Sequence, residues 1–111
     1  MATPLPKKKS RKTRPAHVLK PHAEQAAALL KALANEQRLM IVCNLLEGSM
    51  SVGEINECVD LSQSALSQHL AILREAQIVT TSREAQSIRY ALPQGVVTKI
   101  VAVLHREFCE D

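Results

Sequence analysis

Apolar residues recur along this chain with a helical period up to about residue 76, and alternate with polar ones between Ile78 and Leu92. Pro21 suits the first turn of a helix running to about Ala34, with Ala26, Leu29, Leu30 and Leu33 as its apolar stripe. Asn35 can cap a second helix, in which Leu39, Val42, Cys43 and Leu46 fall at i, i+3, i+4 and i+7 before Gly48 ends it. A short third helix, roughly Val52–Val59, turns Ile55 and Val59 inward and shows Glu54 and Glu57 to solvent. Asp60 and Leu61 turn the chain, and Ser62 caps a fourth helix reaching about Ala76. Ile78–Arg83 and Ser87–Leu92 then read as two strands around a polar turn at Glu84–Gln86. In the second strand Ile88, Tyr90 and Leu92 share one face.

Pro93 stops the second strand, and a last helix extends to about Cys109. Its Val96, Val97, Ile100, Val101, Val103, Leu104 and Phe108 are too many for a single stripe. A helix apolar on two sides needs two partners: its own domain and, most simply, a second subunit, aided by the first helix. Burial wholly inside the monomer is the alternative, but a domain of about 90 residues has little interior to offer. The expected fold is mainly α with a small β-hairpin, in the order α-α-α-α-β-β-α. A short helix, a turn, a capped helix and a two-stranded ribbon form the winged helix-turn-helix sequence, here as a homodimer.

Charge divides the chain in two. Residues 1–20 carry seven Lys or Arg and no acid. Residues 21–111 carry the other seven bases against all eleven acids, so a net +3 separates into a +7 tail and a −4 body. A block of like charge without apolar partners does not offset its ordering entropy, so residues 1–20 are expected to be a disordered basic tail and 21–111 the folded domain. The longest apolar runs, Ala26–Leu30 and Ile100–Leu104, are too short to span a membrane. The tail lacks the apolar core of a secretory signal, and it is richer in Lys and Pro than a transit peptide. Tyr90 and Phe108 are the only aromatic residues, too few for stacking on single-stranded nucleic acid. Three glycines leave no phosphate-cradling loop, and three cysteines do not suit a secreted disulfide scaffold. The expected location is the bacterial cytoplasm.

The fourth helix has two distinct faces. Leu66, Leu70 and Leu73 point inward, while Gln63, Ser64, Ser67, Gln68, Ala71 and Arg74 point outward. Ordinary solvated faces show Lys and Glu. Ser and Gln instead offer hydrogen bonds to base edges and phosphates, and a small Ala71 permits close approach. The helix N-terminus at Ser62 favours a phosphate. On the ribbon, Arg83, Gln86 and Arg89 are candidates for phosphate or minor-groove contacts, with surface solvation as the alternative for each. His69 lies on the inward side, where a packed, hydrogen-bonded histidine is expected rather than a base reader.

These residues resemble a known family. Ser64, Ser67, His69 and Leu70 in SQSALSQHL, the LREAQIV run and a wing reading REAQSIRY are similar to the ArsR family of small bacterial regulators, over essentially residues 22–111. The strings LLKALANEQRL, SVGE and LHREFCED resemble its BigR, SqrR and HlyU subgroup. The resemblance implies a homodimeric winged-helix repressor that binds duplex DNA at an imperfect inverted repeat. Within the subgroup it implies a sensor of persulfides or other oxidants with Cys43 and Cys109 as the reactive pair. From the residues alone, Cys43 on an apolar helix face also reads as inert core filling. Cys109, near the end of the last helix, is less readily core, and Cys58 reads as a half-buried small apolar residue. For fast reaction a lowered thiol pKa would be needed, with His105 or Arg106 as sources of positive field.

Metal-sensing members of the family that the chain resembles commonly carry Cys-x-Cys at the start of the third helix, where this chain has Ser51 and Gly53. Their other common zinc site lies on the last helix, and here only His105, Glu107 and Glu110 are present. A composite of Cys43, His105 and Cys109 has suitable donors but no supporting spacing. No metal and no cofactor is therefore expected. The tail departs from the short N-termini of the subgroup and reads as non-specific phosphate attraction or a solubility device. The expected function is a DNA-binding repressor that releases its operator when Cys43 and Cys109 are joined by reactive sulfur, controlling sulfide-detoxification genes. The alternatives are a metal-responsive repressor and an HlyU-like virulence gene regulator. A thiol oxidoreductase is disfavoured for want of a CxxC motif or a nucleophile–base pair.

Overall fold

The computed structural model describes residues 13–109. Its elements in chain order are α1 (Pro15–Leu19), a 3-10 turn (Lys20–His22), α2 (Ala23–Leu33), α3 (Glu36–Asn44), a second 3-10 turn (Leu45–Glu47), β1 (Met50–Ser51), α4 (Val52–Cys58), α5 (Gln63–Glu75), β2 (Thr80–Glu84), β3 (Ser87–Ala91) and α6 (Val96–Cys109). The winged helix-turn-helix order expected from the pattern is therefore present, with α4 and α5 as the helix pair and β2–β3 as the wing.

Three helix starts are made by side chains that accept hydrogen bonds from otherwise unpaired backbone N–H groups. Asn35 Oδ1 accepts from Arg38 N–H at 3.0 Å at the start of α3, and Ser62 Oγ from Ala65 N–H at 3.1 Å at the start of α5. Ser51 and Glu54 form a reciprocal capping box on α4. Glu54 N–H donates to Ser51 Oγ at 3.2 Å, and Ser51 N–H to Glu54 Oε1 at 3.0 Å. The buried core joins helices α2 to α6 and the segment before β2 through Leu33, Ile41, Val42, Ile55, Leu66, Leu70, Leu73, Ile78, Val79, Val97 and Val101. No polar side chain is buried among the described residues.

The ends of elements differ from the expectation, each for a local reason. Most of the expected tail, residues 1–12, lies outside the described residues. Its last part is helical: Pro15 takes an early helical position, where its missing N–H costs nothing, and Val18 N–H reaches Arg14 C=O at 3.1 Å. Pro21 consequently sits inside a 3-10 turn, and the regular helix begins only at Ala23. The second predicted helix tightens to 3-10 geometry at Leu45 before Gly48, whose φ of 151° suits glycine. The last helix starts at Val96, three residues beyond Pro93.

The first wing strand starts at Thr80 because Ile78 and Val79 belong to the end of α5. Gln77 N–H bonds Arg74 C=O at 3.0 Å and Ile78 N–H bonds Leu73 C=O at 2.9 Å, the two bonds of a Schellman cap. Leu73 and Ile78 are both fully buried beside it. Gln77 occupies the left-handed position of this cap with φ 61°, where a side chain is strained. Gln77→Gly is accordingly expected to stabilise the fold by about 0.5–1 kcal/mol. Urea unfolding checks this, and an unchanged or lower midpoint would contradict it.

The sheet has the order β1-β3-β2, antiparallel throughout. β1 pairs Met50 with Tyr90 and Ser51 with Arg89, which places the corner before α4 against β3, the central strand of the sheet. Two residues are too few to show an alternating pattern, so β1 was not legible in the sequence. Glu84 pairs with Ser87, leaving a two-residue tip of Ala85 and Gln86. Tyr90 and Leu92 pack against the core, but Ile88, expected on the same face, is 43% exposed because the ribbon has left the body there.

Candidate DNA-reading surface and thiol cleft

The buried face of α5 is Leu66, Leu70 and Leu73, and the 3.6-residue period then turns Gln63, Ser64, Ser67, Gln68, Ala71 and Arg74 to solvent. The Ser62 cap is also exposed, and its hydroxyl lies 3.4 Å from that of Ser64. This row begins at the positive end of the helix dipole. It therefore combines exposed hydrogen-bonding groups with a site that favours a phosphate. His69 is half-buried between α5 and α3, and Arg38 Nη1 stands 3.4 Å from its Nδ1. Arg38 Nε also donates to Ala32 C=O at 2.6 Å, so one guanidinium joins α2, α3 and α5.

On the wing, Arg83 and Gln86 are exposed, as a nucleic-acid contact requires. Arg89 is not available in the same way. Its Nε donates to Ser49 Oγ at 3.0 Å, its Nη2 to Ser49 C=O at 2.6 Å and its Nη1 to Glu54 Oε1 at 3.1 Å. Glu84 Oε2 lies 3.4 Å from Nε. Glu54, expected merely to face solvent, thus serves both the α4 cap and the wing. Its carboxyl is held below the usual range, first by the Ser51 hydrogen bonds and then by the Arg89 charge. The Ser51-x-x-Glu54 spacing was the available signal for the capping half of this arrangement.

Cys43 on α3 and Cys109 at the end of α6 line one open cleft of about 200 Å³, together with Leu39, Met40, Val101, Leu104, His105 and Phe108. Both are free thiols; Cys43 is half-buried and Cys109 exposed. Burial pushes the Cys43 thiol up, and the nearby Cys109 adds to this because two thiolates repel. At Cys43 the shift is thus upward, opposite to the lowering that a fast reaction would need. Apolar surroundings withhold the solvation a thiolate needs, and Arg106 is not among the cleft residues. Cys58 is exposed at the end of α4, away from this cleft, rather than half-buried. Among the described residues no group of three His, Cys, Asp or Glu side chains is placed to hold a metal ion, Cys43, His105 and Cys109 included.

α6 buries Val97 and Val101 against its own domain and leaves Val96, Val103 and Phe108 exposed on other sides. Lys99, Ile100, Val103 and Leu104 line a shallow apolar depression there. Leu30 on α2 is likewise 54% exposed. No helix among the described residues is long and apolar enough to cross a membrane.

Residues 35–81 match the family model described as bacterial regulatory protein, arsR family. The chain is 48% identical over 89 residues to the transcriptional activator HlyU of Vibrio cholerae, covering 80% of this chain and 82% of that protein. It is 41% identical over 107 residues to a biofilm growth-associated repressor of Agrobacterium fabrum, covering 96% and 92%. Among solved structures, reduced HlyU from Vibrio cholerae superimposes with a TM-score of 0.78 at 46% identity, over 84% of this chain and 98% of that one. The transcriptional repressor BigR from Xylella fastidiosa gives 0.78 at 38% identity, over 88% and 100%.

Proposed function

The chain belongs to the arsR family of bacterial regulatory proteins, and from that premise we propose a homodimeric repressor that reads an imperfect inverted repeat and is released by chemistry at Cys43 and Cys109. That it is a dimeric, DNA-binding winged helix-turn-helix regulator without enzymatic activity follows from the family. An HlyU-like gene regulator is the reading these similarities support most directly. Relatives named as activator and as repressor are both similar to it. The metal-responsive alternative lacks a donor set among the described residues.

On this proposal Ser62, Gln63, Ser64, Ser67, Gln68 and Arg74 enter the major groove from α5, and Arg83 and Gln86 reach phosphates or the minor groove from the wing. If Gln68 makes a bidentate base contact, Gln68→Ala costs about 1–3 kcal/mol of operator binding and relaxes preference at one base pair. Unchanged specificity in a selection from randomised duplexes would remove Gln68 from the reader set.

The observation that carries the sensing reading is that two thiols far apart in sequence line one cleft between α3 and α6. A thiolate there attacks the outer sulfur of a small-molecule persulfide, RSSH, giving a protein persulfide and releasing RSH. The second thiolate then attacks the protein-bound sulfur, closing a disulfide and releasing hydrogen sulfide. The persulfide is the oxidant in both steps. The bridge ties α3 to α6, and because α6 also carries the dimer face, the two α5 helices lose the spacing of about 34 Å that one DNA turn demands.

The test is operator binding before and after persulfide, with intact mass measured on the same samples. Wild type is expected to lose binding and recover it with reductant. Cys43→Ser and Cys109→Ser are expected to abolish the response, and Cys58→Ser to leave it intact. A normal response in Cys43→Ser would end the two-thiol reading.

A further inference from the structure

We infer that Arg89 is a positioning residue for DNA reading: it fixes the wing against the corner before α4 and so sets where Arg83 and Gln86 stand relative to α5. The inference rests on the reading of the wing as a DNA contact. A cation on a wing strand is ordinarily assigned to a phosphate, but this guanidinium is already engaged. Ser49 takes it on a hydroxyl and on a backbone carbonyl, Glu54 on a carboxylate, and Glu84 flanks it from β2. Only 25% of its side chain is exposed, so few of its five N–H groups remain for a ligand.

Its place in the fold gives this engagement a purpose. Toward the base of the wing the ribbon is held by Tyr90 and Leu92, which pack on the core. Beyond Arg89 the described residues Ser82 to Ile88 are all exposed, and none of them belongs to the core or packs against it. Arg89 is thus the last point at which the ribbon is attached to the body. The attachment is made to the element that orients α4: Glu54 Oε1 receives both the Arg89 Nη1–H and the Ser51 N–H of the capping box. The Ser51–Arg89 pairing of β1 with β3 brings the same two segments together through the backbone. A planar fork with several donors holds an angle as well as a distance, which a lysine at the same position does not.

The test uses a fluorescein-labelled duplex selected by the full-length wild-type protein from a random library. Affinity is measured over a range of salt for wild type, Arg89→Met, Arg83→Ala and the double variant. Arg89→Met is expected to weaken binding about five- to tenfold, and Arg83→Ala to add much less in its presence than alone, because the two act as one unit. In the Arg83→Ala background Arg89→Met is expected to leave the salt slope unchanged. A fall of about one unit there would show a direct phosphate contact by Arg89 and overturn the inference. Strict additivity of the two substitutions would overturn it as well.

Glu54→Gln keeps the capping hydrogen bonds while removing the charge that faces Arg89, and is expected to reproduce part of the Arg89→Met loss. Arg89→Lys should fall between wild type and Arg89→Met. If Arg89→Met proves poorly folded by circular dichroism, these two variants carry the same comparison with Arg83→Ala. Arg83→Ala binding like wild type would remove the wing contact itself, and the inference with it. A loss in Arg83→Ala with none in the Arg89 and Glu54 variants would remove the inference alone.

Discussion

Val103→Glu is expected to convert the dimer to a folded monomer and to lower operator affinity by about 10²- to 10⁴-fold, the range over which joining two binding modules raises avidity. Val103 is 51% exposed and borders the apolar depression on α6, while the residues that anchor this helix to its own domain are Val97 and Val101. A carboxylate placed there costs the monomer little, because it remains in water. In the dimer it is desolvated without a partner. Sedimentation with circular dichroism separates the two effects: helical content should persist while the mass halves. A Val103→Glu protein that stays dimeric at micromolar concentration and binds as tightly as wild type would place the subunit interface elsewhere.

Leu66→Ala is expected to destabilise the domain by about 3–5 kcal/mol, the cost of a cavity at a fully buried leucine. Leu66 has no exposed surface and belongs to the same buried core as Ile41, Ile55 and Leu73. Domains of this size hold about 5–15 kcal/mol in total, so this one substitution removes a large share. The contact face of α5 is untouched, so operator binding should survive at temperatures where the variant is still folded and vanish with the fold on warming. Urea unfolding of wild type and variant measures the difference. A loss below about 1 kcal/mol would mean that the α5 core is less tightly packed than its burial indicates.

Together these substitutions separate assembly from folding, and both differ from chemistry at the thiol cleft. Raising the Cys43 pKa by burial leaves less thiolate at neutral pH. Bridge closure through Cys43 should therefore quicken as pH rises toward and beyond the ordinary thiol range.

Much of this was legible along the chain. The α5 face is the clearest case: Leu66, Leu70 and Leu73 recur at helical spacing, so the exposed row from Gln63 to Arg74 follows from geometry that any α-helix must obey. The Asn35 and Ser62 caps are likewise local, since each side chain reaches a backbone N–H three residues away. The surplus of apolar residues on α6 already required two partners for that helix. Two short elements, α1 and β1, were missed whole because neither is long enough to carry a periodic pattern, and other misses lie within a few residues of a terminus. Val79 before β2 and Leu45 after α3 are examples, where buried packing and tight turns override a periodic pattern.

The remainder was decided only when distant segments met. Nothing near Arg89 in sequence says that Ser49 and Glu54 will occupy its donors, and an isolated reading leaves it between a phosphate or minor-groove contact and a solvated side chain. Cys43 and Cys109 acquire a shared cleft, and Cys43 its raised pKa, only because α3 packs against α6. Likewise Arg38 finds His69 across the α3–α5 contact. Hydrophobic period and capping act over three or four residues and are therefore written in the order of the amino acids. Hydrogen-bond partners, thiol pairing and desolvation depend on which surfaces the core brings within a few ångströms, and that is a property of the folded chain.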